Sequence, residues 1–233
     1  HWNSADDVWE LYNLRQDFSQ AKDLAQKHPG KLNEMKKRFL MLAEDNKDFP
    51  IGAGLWLRMH PEDRLKTNYT QWTFRQNSRR MPEFTAPGVG RVSNHVRIEV
   101  DTGKHASGVL YAVGGASGGM TVYMDEGYLV YEYNMMILEH YTARSGTPLA
   151  PGKHLIEVST DISRPGGSGK VQIMVDGIEI AGTTLKQTVP GAFTATETFD
   201  VGIDLGSPVA ADYDERRPFA FEGSIHTLRV ELK

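Results

Sequence analysis

Acidic residues cluster near the end of the chain, in a stretch with many turn-forming neighbours. Asp200 and Asp204 lie within residues 199–209, and Asp212 follows shortly afterwards. Carboxylate oxygens are the ligands that Ca²⁺ prefers, so this stretch could bind an ion or another ligand. Asp side chains also accept hydrogen bonds from turn amides, and that structural role is the favoured interpretation. Asp200, Asp204 and Asp212 are the candidate site residues.

Ser117 stands in a G-x-S-x-G pattern, Gly115-Ala116-Ser117-Gly118-Gly119. In hydrolases this pattern exposes a nucleophilic serine at a strand-to-helix turn. Here the following residues, 120–123, have the character of a second strand, so a glycine-rich hairpin loop is predicted. The chain contains no cysteine, which excludes disulfides, thiolate metal sites and a cysteine nucleophile. We therefore predict no catalytic residue, no metal site and no cofactor in this chain.

Large aromatic side chains are the second group that could bind a ligand. Exposed rings on one sheet face could stack on sugars, whereas buried rings would serve packing. The candidates are Tyr123, Tyr128, Tyr131, Tyr133, Tyr141, Trp2, Trp9, Trp56 and Trp72.

The composition is that of an ordinary globular protein, with 39% apolar and 24% charged residues among 233. The net charge of −4 argues against nucleic acid as the main partner, because such binding needs a basic face. No apolar run approaches ~18 residues, so no membrane span is expected. The absence of cysteine fits both the bacterial cytoplasm and the periplasm, and the localisation stays open.

The first 50 residues predict a short strand followed by a helix. Residues 9–14 form an aromatic and apolar run, and Pro29 suits the first turn of a helix. Apolar side chains then recur at steps of three or four on one helical face, at Leu32, Met35, Phe39 and Leu42. Residues 51–66 read as a linker.

From residue 67 onward the apolar period changes to two. Val96, Ile98 and Val100 alternate with polar residues, and similar runs recur around residues 109–113, 120–124, 128–133, 154–158, 171–175 and 228–232. Turn signals at residues 125–127 and 176–177 separate such runs. Many short strands without helices between them predict a mainly β fold over residues 67–233, an antiparallel β-sandwich of jelly-roll or concanavalin-like type.

The N-terminal stretch resembles a known family. Its W-E-L-Y-N-L run at residues 9–14, Asp17, Ser19, the D-L-A run at residues 23–25 and residues 28–32 follow the order seen near the C-terminus of sulfatases. Residues 131–134, 148–154, 175–177, 197–202 and 204–209 resemble the extra C-terminal region of long bacterial arylsulfatases. The resemblance implies that residues 1–50 are a remnant of the sulfatase C-terminal subdomain and that a sandwich follows.

The catalytic residues of the sulfatase family have no counterpart in this sequence. Sulfatases use a C/S-x-P-x-R motif whose first residue becomes formylglycine, together with a calcium ion held by Asp and Asn. The nearest match, residues 163–167, has glycine in place of the required arginine. The resemblance therefore implies a parent sulfuric ester hydrolase whose calcium and formylglycine belong to a domain that this chain lacks, and the chain alone is predicted to be inactive.

Two functions follow as expectations. The first is a non-catalytic accessory region that stabilises or frames a sulfatase catalytic domain, its expected partner. The alternative is a carbohydrate-binding β-sandwich that targets sulfated glycans. In the family fold, the strand at residues 9–14 pairs with upstream strands that are missing here. We therefore expect that segment to pair with another copy in a homodimer or to dock on the sandwich.

Overall fold

The computed structural model describes residues 5–49, 51 and 69–233. The chain divides into two compact units, residues 1–67 and residues 68–233. The predicted linker at residues 51–66 lies outside the described residues, except for residue 51.

The N-terminal unit contains one helix among its described residues, α1 (Pro29–Asp45). Pro29 occupies the first turn, where its missing N–H costs no helical hydrogen bond. The helix ends where Lys47 takes a positive φ of 59°. The Lys47 N–H then donates to the Glu44 carbonyl at 3.1 Å, and the Asp48 N–H donates to the Ala43 carbonyl at 2.8 Å. This pair of bonds is a Schellman motif, which satisfies the last helical carbonyls.

The strand predicted at residues 9–14 is not formed, and this is a correction. The Leu11 N–H donates to Asp23 Oδ1 at 2.8 Å, and the Leu24 N–H donates to the Leu11 carbonyl at 2.7 Å. Trp9 lies edge-on against Phe39 of α1, with ring centroids 5.5 Å apart. Because the described residues of this unit offer no second strand, the segment instead bonds to a loop and packs on the helix.

The sandwich predicted from the period of two is present. Residues 69–233 form twelve strands: β1 (Gln71–Phe74), β2 (Met81–Pro82), β3 (Asn94–Thr102), β4 (Gly108–Gly115), β5 (Gly118–Asp125), β6 (Tyr128–Met135), β7 (Glu139–Arg144), β8 (Gly152–Ile162), β9 (Gly169–Val175), β10 (Ile178–Leu185), β11 (Thr198–Val201) and β12 (Ser224–Leu232).

The strands form two antiparallel six-stranded sheets. Sheet A has the order β1-β12-β3-β8-β9-β10, and sheet B has the order β2-β11-β4-β5-β6-β7. Their inner faces enclose the main apolar core, to which Ile98, Tyr131, Ile156 and Leu228 contribute. Two predicted turns fall where expected, because Glu126 and Gly127 take positive φ between β5 and β6, as do Asp176 and Gly177 between β9 and β10.

The outer faces of the two sheets differ. The outer face of sheet B is covered by the segment between β11 and β12, which includes a 3-10 helix (Ala211–Arg216). A second apolar cluster fills this contact and consists of Val109, Ala112, Tyr123, Val130, Val209, Ala210, Tyr213 and Phe219. The outer face of sheet A carries polar side chains, and β3, β9 and β12 alternate buried and more exposed residues along their length. Within residues 69–233, no segment covers this face as the 3-10 segment covers sheet B.

Candidate functional site

The three aspartates predicted as site residues make hydrogen bonds at the edge of sheet B or in the segment that covers it. Asp200 is buried on β11, where Oδ1 accepts a hydrogen bond from the Arg80 N–H at 2.7 Å and Oδ2 accepts one from the Thr198 hydroxyl at 2.7 Å. These bonds fix the segment that leads into β2. Asp200 thus stabilises local backbone.

Asp204 ties the covering segment together. Its buried Oδ2 accepts a hydrogen bond from the Tyr213 hydroxyl at 2.6 Å and another from the Val209 N–H at 3.0 Å. Burial raises the pKa of this carboxyl to about 6, although both hydrogen bonds oppose the change.

Asp212 lies on the 3-10 helix, and its Oδ2 accepts a hydrogen bond from the Tyr123 hydroxyl at 3.0 Å. Across residues 5–49, 51 and 69–233, no three His, Cys, Asp or Glu side chains are grouped so that they could hold a metal ion. The structure therefore gives each aspartate a bonding role within the protein, and ion binding at this loop stays a prediction.

Ser117 lies on the hairpin between β4 and β5, as predicted. The chain runs from strand to turn to strand, and a nucleophile elbow would need a helix after the turn. The Gly114 φ of 87° and the Gly118 φ of 155° show why the loop requires glycines. The pattern is thus a turn sequence.

The tyrosines do not form an exposed stacking surface. Tyr123, Tyr131, Tyr133 and Tyr141 are all buried, and Tyr128 is half-buried beneath the guanidinium of Arg144, 4.5 Å from its ring centroid. Of the tryptophans, Trp2 and Trp56 lie outside the described residues, and Trp9 packs on α1. Trp72 on β1 pairs with the buried Val230 and packs against the main apolar core, so its ring belongs to the inner face of sheet A.

A groove of about 230 Å³ opens on the outer face of sheet A, across β1, β12 and β3. It is lined by Gln71, Trp72, Thr73, His95, Arg97, Arg229, Val230 and Glu231. The strand register explains why these residues meet, since β12 pairs with β1 on one side and β3 on the other. Thr73, Arg229 and Arg97 form one cross-strand row, and Gln71, Glu231 and His95 form the next.

Hydrogen bonds hold one side of this groove in place. His95 Nδ1 lies 2.8 Å from the Ser159 hydroxyl, and its Nε2 lies 3.3 Å from Glu157 Oε1. The same Glu157 oxygen lies 3.4 Å from Arg97 Nε. On the other rim, Gln71 Nε2 donates to Glu231 Oε1 at 3.4 Å. The carboxylate of Glu157 thus orients both His95 and Arg97.

Arg229 is different, because its guanidinium has no ion pair or hydrogen bond with any residue that the structure describes. It is exposed and lies directly opposite Arg97 in the register. Five N–H donors in a planar fork are therefore available to a ligand at this position. The sequence does not predict this pairing, because Arg97 and Arg229 are far apart in the chain. The alternation around Val96 and Ile98 does predict that Arg97 faces outward.

A second cleft, of about 320 Å³, lies on the other sheet beside the covering segment and includes Asn134, His140 and Asp214. His140 Nδ1 lies 2.8 Å from Glu132 Oε1, and burial raises the pKa of Glu132. Asn134 uses its amide group within the protein, since Nδ2 donates to the Ala116 carbonyl and Oδ1 accepts from the Ile137 N–H. The polar atoms of this cleft thus mainly bond the protein to itself.

The N-terminal unit exposes many apolar side chains. Phe18 is 90% exposed and Val8 85%, and Leu14, Met35, Phe39, Met41, Leu42 and Phe49 are also exposed. A groove of about 400 Å³ along this unit is lined in part by Leu11, Leu14, Leu24 and Met35. Patches of this kind are typical of surfaces that contact a partner.

The sequence matches no family model and no curated protein. Among solved structures, it is similar to the CBM40 module of a Ruminococcus gnavus sialidase bound to α2,3-sialyllactose, at 17% identity and a TM-score of 0.47 over 69% of this chain and 90% of that one. It is also similar to the LG1–3 region of the laminin α2 chain, at 17% identity and a TM-score of 0.44, over 67% of this chain and 29% of that one.

A native SAP-like pentraxin from Limulus polyphemus gives 12% identity and a TM-score of 0.39, over 72% of this chain and 74% of that one. At these identities and TM-scores, the likenesses assign no ligand to this chain. In the described part of the chain, no helix is both long and apolar enough to cross a bilayer.

Proposed function

We propose that residues 69–233 form a non-catalytic carbohydrate-binding module whose ligand lies on the open face of sheet A. The observation that carries this proposal is the groove across β1, β12 and β3. It combines a histidine, two arginines, an amide and a carboxylate on a sheet face that no segment of residues 69–233 covers.

The size and openness of the groove favour a chain-like ligand that lies along the surface. Cofactor and drug-sized sites usually enclose ~300–1,000 Å³ and bury most of the ligand. This groove holds about 230 Å³, and Gln71, Thr73, Arg97 and Arg229 on its sides are exposed. An oligosaccharide with one or two residues in the groove and the rest in solvent fits that shape.

The polar groups of the groove suit sugar hydroxyls. Gln71 and Glu231 offer an amide and a carboxylate, and Arg229 offers unpaired donors. Trp72 packs on the core beneath the groove and so belongs to the inner face of sheet A. These contacts supply hydrogen bonds to a ligand, and the proposed role is binding.

Calorimetric titration of the purified chain against a panel of neutral and acidic oligosaccharides tests this function. We expect saturable binding to at least one family of glycans, weakened about tenfold or more by Arg229→Ala. Arg164→Ala is the matched control, because it removes the same charge from an exposed residue in the loop between β8 and β9. A flat titration against the whole panel would reject the proposal.

We propose, as a second function, that the N-terminal unit joins this module to a sulfatase catalytic domain. The sulfatase-like sequence at residues 9–32 supports this proposal, and so does the apolar surface around Phe18, Phe39 and Leu42. An apolar surface of this extent favours a permanent partner, and a catalytic domain from which the final strand has been lost would supply one.

Size-exclusion chromatography with light scattering tests this second function. We expect the chain to form a one-to-one complex with a bacterial arylsulfatase truncated before its last strand, and Leu14→Asp, at an exposed residue of the apolar groove, to abolish that complex. Dimerisation of the chain alone, abolished by the same substitution, would support the homodimer through residues 9–14 instead. If the chain stays monomeric and does not bind the truncated enzyme, both the complex and the homodimer are contradicted.

A further inference from the structure

We propose that the groove on sheet A binds an acidic sugar and holds its anionic group, a sulfate ester or a carboxylate, between Arg97 and Arg229. This inference rests on the proposed carbohydrate-binding function and names the class of glycan.

The register places the two arginines side by side. Arg97 of β3 and Arg229 of β12 are direct partners in an antiparallel pair, on the same face of the sheet. The β-carbons of such partners lie about 5 Å apart, and like charges in this position repel each other. An anion between the two guanidinium groups would remove that repulsion, so the free protein already contains a position whose electrostatics favour an anion.

Two carboxylates lie in or beside the groove, but only Arg97 has one of them within ion-pair distance. Glu157 lies 3.4 Å from Arg97 but is shared with His95, and Glu231 bonds to Gln71. Arg229 has no such partner among the described residues. One cation of the pair therefore faces solvent without a counter-ion.

A second pair of arginines on the sandwich does have a carboxylate between its members. Arg216 and Arg144 also lie close together, but Asp125 is placed between them. Its Oδ1 lies 2.8 Å from Arg216 Nη1, and its Oδ2 lies 3.6 Å from Arg144 Nη1. A carboxylate thus bridges two arginines in this protein where no ligand is needed. Among the described residues, no carboxylate lies within ion-pair distance of both Arg97 and Arg229, and the anionic group of a ligand would take that place.

Arginine is also the appropriate residue for such a group. Its planar fork donates two parallel hydrogen bonds to the oxygens of a carboxylate or of a tetrahedral oxyanion. Both sulfate esters and uronic or other carboxylated sugars present oxygens of this kind. Arg97 and Arg229 would bind this group, while Gln71 and Thr73, which are exposed on the same face, would contact the sugar ring beside it.

The experiment compares glycans that differ only in their acidic groups. Several oligosaccharide backbones are each prepared with sulfate, with carboxylate and with neither, by desulfation and carboxyl reduction, and are titrated against the whole chain. We expect an acidic form to bind about tenfold or more tightly than its neutral counterpart. The sulfated and carboxylated arms show which anion the groove prefers.

Substitutions of the two arginines test whether they cause the preference for acidic glycans. Arg229→Ala and Arg97→Ala should each lower acidic-glycan affinity toward that of the neutral form, and Arg229→Lys should have an intermediate effect because it keeps the charge but loses the fork. Arg164→Ala should change nothing. Thermal melts of all variants confirm that each is folded before its affinity is compared.

The outcomes separate this inference from the function on which it rests. Equal affinity for acidic and neutral forms would leave a carbohydrate-binding module but overturn the anion site. A preference for acidic glycans that persists in the double variant Arg97→Ala/Arg229→Ala would also overturn it, because the anion would then bind elsewhere on the surface. Failure of every glycan to bind would reject the function itself.

Discussion

The two outer faces of the sandwich use their side chains for opposite purposes. On sheet B, Tyr123 meets Tyr213 edge-on at 5.1 Å, and Tyr213 stacks on Phe219 at 5.1 Å, so the chain covers this face with its own aromatic rings. On sheet A, Arg97 and Arg229 stand opposite each other on an open face. The protein thus stabilises one face by burial and keeps a pair of like charges on the other, which we propose serves ligand recognition.

The largest effect is expected on the covered face. Tyr213→Ala removes a fully buried ring and its hydrogen bond to Asp204, and large-to-small changes at such sites cost about 3–5 kcal/mol. Urea denaturation of the variant should show this loss of unfolding free energy. A loss below about 1 kcal/mol would mean that the covering segment is not part of the folded core.

The pH dependence of stability offers a smaller effect on the same face. The folded-state pKa of Asp204 is raised to about 6, above its ordinary value, so the folded protein binds a proton more tightly than the unfolded chain does. Its contribution to stability therefore falls as pH rises from about 4 to about 6, by on the order of 2–3 kcal/mol in total, and is level above that range.

Asp204→Asn should abolish this pH-dependent component. Its amide oxygen can accept both hydrogen bonds that Oδ2 accepts now, from Tyr213 and Val209. The variant should therefore match or exceed the wild-type protein in stability at pH 7 and lose that relative advantage at pH 4. If the difference in unfolding free energy between the two proteins is the same from pH 4 to pH 7, the raised pKa of Asp204 is contradicted.

The smallest change in stability is expected on the open face. Arg229→Ala removes an exposed side chain that has no polar partner among the described residues and faces a like charge. The free energy of unfolding should change by no more than about 0.5 kcal/mol, and in the stabilising direction if it changes. Chemical denaturation checks this value. A loss above about 1 kcal/mol would show that Arg229 is structural and would weaken its assignment to a ligand.

Much of the fold follows from local patterns in the sequence. The period of two around Val96, Ile98 and Val100 predicts β3, and the turns at residues 125–127 and 176–177 predict two hairpins, because these features depend on neighbouring residues. The strand predicted at residues 9–14 was wrong, since a strand also requires a partner that the described part of the N-terminal unit does not provide.

The site was harder to predict, because it depends on register. Asp200, Asp204 and Asp212 were recognisable as a group by their spacing, yet each bonds within the protein. Arg97 and Arg229 have no shared motif and meet only because β12 pairs with β3. Strand pairing over so long a separation is a property of the whole fold, and no local pattern contains it.

The most direct test of the central claim is a titration of the isotope-labelled chain with a glycan that binds, followed by amide chemical shifts in two-dimensional NMR spectra. We predict that the shifted amides cluster at residues 71–73, 95–97 and 229–231, on the open face of sheet A. Shifts that cluster instead at residues 204–219, on the covered face of sheet B, would contradict the account.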